Sequence, residues 1–314
     1  MKNIFVGLDT SNYTTSLAIL TEEGELLGNF KKLLPVKLGE CGLRQSDAVF
    51  AHIKNLPLLF SEAASVLAKN RILAIGVSER PRNIDGSYMP CFLAGVNAAV
   101  AASTLLGVPL YKFSHQCGHI MAAIYSSGKN ELVDSDFAAF HISGGTTELL
   151  RVTGAENGFN ADHVGGTKDL NAGQIIDRIG VYMGLKFPSG REMEALALEN
   201  KKKIPKKKIS REGLFVNLSG LENLGKKLFD ESKDKALTSA FVFECIGNAI
   251  CDLTNEYISL HGDTHFVYAG GVMCNSLIKN KLKSKFNCSF AEPAMSADNA
   301  VGIACLARSK YMKN

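Results

Sequence analysis

Short apolar runs and alternating positions dominate the first forty residues: IFVGLDT, TTSLAIL and ELLGNFKKLL read as three strands, parted by Ser-Asn and Glu-Glu-Gly turns. Residues 46–68 change period. Their apolar positions recur at helical spacing, and Pro57 is expected to kink or split that helix. A buried strand at ILAIGVS, a small-residue helix at CFLAGVNAAVAASTLLG and a short strand at PLYKF follow, giving the order βββαβαβ. The second half repeats this grammar. It has strands at DFAAFHIS and TTELLRVTG, helices near 170–184 and 191–199, a long helix near 236–259, a strand at THFVYAG and a helix from Asn275.

Each half opens on a strand, a small polar turn and a returning strand rich in Ser or Thr: GLDTSNYTTSLAIL and FHISGGTTELLRV. Such a structural repeat implies an α/β chain of two similar domains facing each other across a cleft, not a solenoid. Ser/Thr/Gly turns expose backbone amides and hydroxyls that can hold phosphate; two hairpin turns without a ligand are the alternative.

At roughly 150 residues per domain, 314 residues also suggest two domains, and 46% hydrophobic with 21% charged residues excludes disorder, collagen and coiled coil. The eight cysteines show no CxxC pair, which reads as reduced thiols in a reducing compartment and not as a zinc ribbon or disulfide framework. The N-terminus runs straight into a strand, and no apolar run approaches the roughly 18 residues of a membrane span. The expectation is a cytoplasmic protein with no membrane association. The net charge of +4 hides a local feature, the segment KKKIPKKK at 201–208; taking its six lysines away leaves −2. Pro205 excludes a helix there, so the segment reads as an exposed loop, either plain solvated surface or a phosphate contact.

His115 and His119 stand at i and i+4 in SHQCGHIMAAIY, on one helix face where both imidazoles can reach one metal ion. The Glu of a HExxH peptidase is absent, since Gln116 follows His115. Asp298 in AMSADNAVGIA is the best third ligand, although a carboxylate in a first helical turn also serves as a cap. Three glycine-containing turns can cradle a nucleotide: ISGGTT at 142–147, FPSGRE at 187–192 and YAGGVMCN at 268–275. In the last, Gly270 and Gly271 follow a strand and open a helix. No P-loop is present, and no GxGxxG follows a strand. Asp177 can hydrogen-bond a ribose or base, or pair with Arg178 or Arg191 on a solvated face.

The ordered set GLDTSNYTTSLAI, SHQCGHIMA, HISGGTTELLRV, GGTKDLNAGQIIDRIGVYMGLKFPSG, FVNLSGLEN, VYAGGVMCN and SADNAVGIA resembles the bacterial threonylcarbamoyl-transferase subunit family of tRNA modification (TsaD), across nearly the whole chain. The resemblance implies an α/β fold of two actin-like (RNase H-like, ASKHA) domains facing across a nucleotide-binding cleft. Domain boundaries are expected at 1–112, completed by a C-terminal helix at 298–311, and at 113–297. It further implies one divalent metal, Fe or Zn, on His115, His119 and Asp298. The substrate or nucleotide would lie on His141, Ile142, Ser143, Gly144, Gly145, Asp177, Gly190 and Asn275. The implied reaction transfers a threonylcarbamoyl group from threonylcarbamoyl-AMP to N(6) of adenosine 37 in tRNA, with partner subunits of the TsaB and TsaE type. With tRNA as acceptor, Lys206, Lys207 and Lys208 become candidate phosphate contacts.

The chain departs from the family pattern at four places. The first turn reads Thr10-Ser11-Asn12-Tyr13-Thr14 and lacks an acidic group, and Thr146 stands where SGGHT has histidine. Asp169-Leu170-Asn171-Ala172-Gly173-Gln174 lacks two carboxylates of DDAAGE, and a segment from Arg80 to Tyr88 replaces GPGLxG. These point to a diverged paralogue. A second reading is therefore a catalytically weak, adenine-nucleotide-binding scaffold or regulatory subunit. A metallopeptidase ranks last, because no water-activating acid accompanies the histidines.

Overall fold

The computed structural model describes all residues except 12, 36–42, 156–157 and 297–299. The chain divides into two units. The first comprises Met1–Ser135, Thr153–Ala161 and Ala294–Asn314; the second comprises Asp136–Val152 and Asp162–Pro293.

In the first unit, β1 (Asn3–Thr10), β2 (Thr14–Thr21) and β3 (Leu26–Leu33) form an antiparallel meander. After α1 (Gln45–Leu67), β4 (Arg71–Arg80) pairs parallel to β1. After α2 (Phe92–Leu106), β5 (Leu110–Ser114) pairs parallel to β4, completing the order β3-β2-β1-β4-β5. Period-2 alternation divides β1 between two layers. Ile4, Val6 and Leu8 pack with Leu56, Leu59 and Ala63 of α1 and with Ala94 and Ala99 of α2. Phe5 instead packs edge-on against Tyr311 of the C-terminal helix.

The helix α1 runs unbroken through Pro57, so the proline does not split it. Pro57 is exposed, and so is Ile53, whose carbonyl is the one left without an amide donor, so water can replace the missing bond. α3 (His115–Ser127) and the short 3-10 turn Asn130–Asp134 belong to this unit as well, so the first unit extends to Ser135 and not to 112. The cause is packing of α3 on the C-terminal helix, where Gly118 meets Gly302.

The second unit starts with the hairpin of β6 (Phe137–Ile142) and β7 (Thr147–Ala155), and β8 (Gly158–Thr167) follows, the end of β7 and the start of β8 (Thr153–Ala161) counting with the first unit. Next come α4 (Ala172–Tyr182), α5 (Gly190–Glu199), the two-residue strands β9 (Arg211–Glu212) and β10 (Phe215–Val216), α6 (Ser219–Ser232) and α7 (Lys235–His261). β11 (Phe266–Ala269) lies parallel to β6, a 3-10 turn at Gly271–Cys274 leads into α8 (Ser276–Lys283), and β12 (Cys288–Phe290) lies parallel to β11. The chain closes with α9 (Pro293–Ser296) and α10 (Val301–Lys313).

The second sheet has the order β12-β11-β6-β7-β8-β10-β9. Its part β8-β7-β6-β11-β12 reproduces the order of the first sheet, with β10 and β9 added at one edge. The repeat seen in the sequence is thus a repeat of topology. α7 is long and apolar enough to span a membrane, which the sequence expectation did not anticipate, yet 78% of that window is buried. Its Phe241, Phe243, Ile246 and Ile250 form the centre of the second unit's core with Phe140, Tyr268 and Ile176. All seven described cysteines are free thiols; Cys41 lies outside the described residues.

Candidate functional site

The first unit carries the histidine pair. α3 begins where Ser114 Oγ accepts from the Cys117 amide at 3.2 Å, an N-cap that places His115 in the first turn and His119 one turn on. Their Nε2 atoms converge to 2.9 Å. Two imidazoles bound at about 2.0–2.1 Å to one tetrahedral ion would hold these atoms about 3.3 Å apart, so shifts of a few tenths of an ångström fit the pair to a common metal.

Behind the pair stands Asp9, at the end of β1 and fully buried, with Oδ1 2.9 Å from Nδ1 of His115. An ionised carboxylate can only accept, so Nδ1 carries the proton and Nε2 keeps its lone pair toward His119. Asp9 bonds the ring nitrogen of His115 opposite the one facing His119, so it orients the imidazole. The sequence reading missed it, although a lone acid inside the otherwise apolar strand IFVGLDT was the available signal. Among the described residues no group of three or more His, Cys, Asp or Glu is placed to hold a metal. The expected third ligand, Asp298, lies outside the described residues.

Gly302, in the first turn of α10, meets α3 between the two histidines. A Cβ on Gly302 would fall 1.8 Å from the carbonyl oxygen of Gly118 and 2.8 Å from the amide nitrogen of Ala122. This backbone-to-backbone approach packs the start of α10 directly on α3.

The second unit contains a cavity of about 540 Å³ lined by Gly144, Asp177, Gly190, Gly271 and Asn275, together with Ile176, Phe243, Arg191 and Glu194. That volume lies in the range of small-molecule and cofactor sites. Five of the sequence-predicted positions are thus brought to one cavity. The others lie in the strands and turns around it. Ile142 is 1% exposed and belongs to the core, whereas His141 is half-buried on β6. Ser143 and Gly145 close the β6–β7 turn, through the Ser143 amide to Thr146 O at 2.8 Å and the Gly145 amide to Ser143 Oγ at 3.3 Å. Gly270, at φ +100°, packs against the Ile142 carbonyl.

Asn275 caps α8, its Oδ1 accepting from the Ile278 amide at 3.1 Å. That bond fixes which end of the side chain is oxygen. Its Nδ2 is buried without a partner among the described residues, and Asn275 lines the cavity. Asp177 Oδ1 accepts from the Ser189 amide at 2.7 Å. Burial raises its pKa above the usual carboxylate value, and the Ser189 amide offsets part of the rise. The alternative of an ion pair is not what forms, because Arg178 binds Glu222 at 3.1 Å. Glu194, also missed, accepts from both the amide and the hydroxyl of Ser276 at 2.7 and 2.6 Å, tying α5 to the start of α8 beneath the cavity.

The departures around Asp169 have structural work. Asn171 and Gln174 form a capping box at the start of α4, with the Asn171 amide donating to Gln174 Oε1 at 3.0 Å. Asp169 accepts from the amides of Leu170, Leu218 and Ser219 and so caps α6. Burial raises its pKa, but the Ser219 hydroxyl and these amides outweigh that and bring it down to about 2.

The family model described as TsaD: tRNA N6-adenosine threonylcarbamoyltransferase matches residues 42–305. The chain belongs to the TsaD family. A tRNA N6-adenosine threonylcarbamoyltransferase of Streptococcus suis (strain 05ZYH33) is 28% identical over 327 residues, covering 99% of this chain and 93% of that protein. Among solved structures, component A of the Acidaminococcus fermentans (R)-2-hydroxyglutaryl-CoA dehydratase aligns with a TM-score of 0.56 at 15% identity, covering 98% of this chain and 99% of that one. A ROK family glucokinase from Streptomyces griseus, in complex with glucose and AMPPNP, aligns at 0.53 and 14% identity over 98% and 99%. These two likenesses show the fold: the TsaD-family chain shares the mixed α/β fold of those two proteins. The family is one of acyl transferases.

Proposed function

We propose that this TsaD-family chain transfers a threonylcarbamoyl group from threonylcarbamoyl-AMP to N(6) of adenosine 37 in tRNA, in the cytoplasm and with partner subunits of the TsaB and TsaE type. One observation carries the reading. In a chain of this family, the second unit holds a cavity of nucleotide size with an unpartnered buried donor, Asn275 Nδ2, and a carboxylate, Asp177, at its wall.

In this reading the cavity binds the adenylate. Asn275 Nδ2 donates to an acceptor on the base or ribose, Asp177 accepts from a ribose hydroxyl, and the Gly144, Gly190 and Gly271 backbone allows close approach. Glu194 holds the start of α8, and with it Asn275, in place. His115 and His119 would hold a divalent metal, Fe or Zn, with Asp298 as third ligand; when bound, the ion would supply Lewis acidity. Asp9 keeps the proton of His115 on Nδ1. The test is mass spectrometry of tRNA nucleosides from cells lacking the protein, together with the metal content of the purified chain. Unchanged threonylcarbamoyladenosine in a strain with no second copy would refute the transfer reaction.

The scaffold reading is favoured by one finding, that Leu170 and Gln174 stand where the family pattern DDAAGE has carboxylates, Gln174 closing the capping box of α4 with Asn171 and the retained Asp169 capping α6. It expects adenine-nucleotide binding without tRNA modification, and turnover in a reconstituted assay would exclude it.

A further inference from the structure

The segment Lys201–Lys208 runs along the second unit with all six lysines exposed, while Ile204 packs against the core and Ile209, just past it, is buried. Asn200 braces its start: its side-chain amide donates to Lys202 O at 2.9 Å, and its Oδ1 accepts from the Lys202 amide at 3.1 Å. Lys202 pairs with Asp234 at 2.8 Å. Lys201, Lys203, Lys206, Lys207 and Lys208 have no ion-pair partner among the described residues.

A second cationic segment borders the same helix. The aliphatic stem of Lys281, on α8, lies 3.3 Å from where a Cβ on Gly247 of α7 would sit, and its ammonium pairs with Glu244 at 2.7 Å. Lys283 and Lys285 follow it, exposed. Cys245, also on α7, feels both segments: burial and Glu244 raise its thiol pKa to about 11, and the ammonium groups of Lys281 and Lys207 act against that rise. The Lys202 pair with Asp234, the N-cap of α7, and the Lys281 pair with Glu244 place both segments along the N-terminal half of α7.

We infer that the Lys201–Lys208 segment, with Lys283 at the end of α8 and Lys285 just past it, forms a phosphate-binding surface of the second unit that holds the tRNA backbone. The inference rests on the proposed tRNA reading and adds where the acceptor is held. Charge distribution argues for a polyanion: the rest of the chain nets −2, so an approaching polyanion is attracted to this surface and repelled by the remainder. The apolar residues argue for nucleic acid over a lipid surface. Ile204 and Ile209 turn inward, so the loop offers ammonium groups with no apolar anchor to enter a bilayer. Bracing also matters, because a segment already fixed loses less entropy when it binds.

The test is binding of an ANN-decoding tRNA by fluorescence anisotropy, with salt varied between about 50 and 200 mM. The full chain is compared with the triple variant Lys206→Gln/Lys207→Gln/Lys208→Gln, with Lys283→Gln/Lys285→Gln, and with a control triple at Lys54, Lys69 and Lys227. We expect the loop triple to flatten the slope of log K against log salt by about 2–3 and to lower affinity on the order of 10²-fold at 0.1 M salt. The α8 double should flatten it by about 1–2, and the control should match wild type. Adenine-nucleotide binding should be unchanged in all three. If wild type binds tRNA and neither lysine variant alters the slope, the surface is wrong and the tRNA reading stands. If wild type binds no tRNA, or binds anionic vesicles instead, the tRNA reading fails and the surface falls with it.

Discussion

Replacing Gly302 with Ala tests whether packing inside the first unit builds the metal pair. The added methyl would sit 1.8 Å from the Gly118 carbonyl oxygen, whereas ordinary contact begins near 3.4 Å. The obstacle is backbone in the middle of α3, so no rotamer change relieves it, and α3 and α10 must separate by roughly 1.5 Å in an interior packed like a crystal. Overpacking of this kind costs about 1–3 kcal/mol. Separation also shifts the turn of α3 that carries His115 and His119, so metal affinity should fall together with stability. Urea denaturation followed by circular dichroism gives the first quantity, and competition with a chromogenic chelator gives the second. A Gly302→Ala protein with wild-type denaturation midpoint and wild-type metal affinity would falsify the close approach. A protein destabilised but unchanged in metal affinity would separate the packing from the site.

Asp9→Asn keeps the shape beside His115 but removes the charge that fixes its proton, and metal affinity should drop about 10–100-fold in the same chelator competition; an unchanged affinity would deny Asp9 its orienting role. Asn275→Asp preserves the cap on α8 and removes the buried donor, so adenylate affinity measured by calorimetry should fall at least about tenfold while the melting temperature holds; equal binding would move the nucleotide away from this cavity. Asp169 has its folded pKa depressed to about 2, so its stabilisation is present above pH ~4 and lost as pH falls through ~2. Because the residue is exposed, solvent screening discounts the contribution to about 1 kcal/mol. Asp169→Asn should therefore lower stability at pH 7 by that amount and flatten its decline between those pH values, as read by urea titrations at each pH; a parallel offset at every pH would refute the linkage.

Much of this protein is local and so was legible in order along the chain. Strand and helix periods gave the βββαβαβ order of the first unit, and the i, i+4 spacing gave the histidine pair, because those relations span no more than a turn or a hairpin. The GGV and SGG turns and Asn275 were marked by the family pattern, and the cavity brings Gly144, Gly271 and Asn275 together. What escaped was either very short or far apart. β9, β10 and β12 have two or three residues, too few for a period to show. The continuity of α1 through Pro57 depended on which face met water. Asp9 is separated from His115 by 106 positions, and Glu194 from Ser276 by 82. Only the packing of β1 beside β4 and β5, and of α5 against α7 and α8, brings those pairs within hydrogen-bond reach. The sequence determined which residues can do chemistry, since donors, charges and helical spacing are properties of the side chain and its near neighbours. The tertiary structure decided which distant carboxylate orients which ligand, because that is set by how layers close over a shared core.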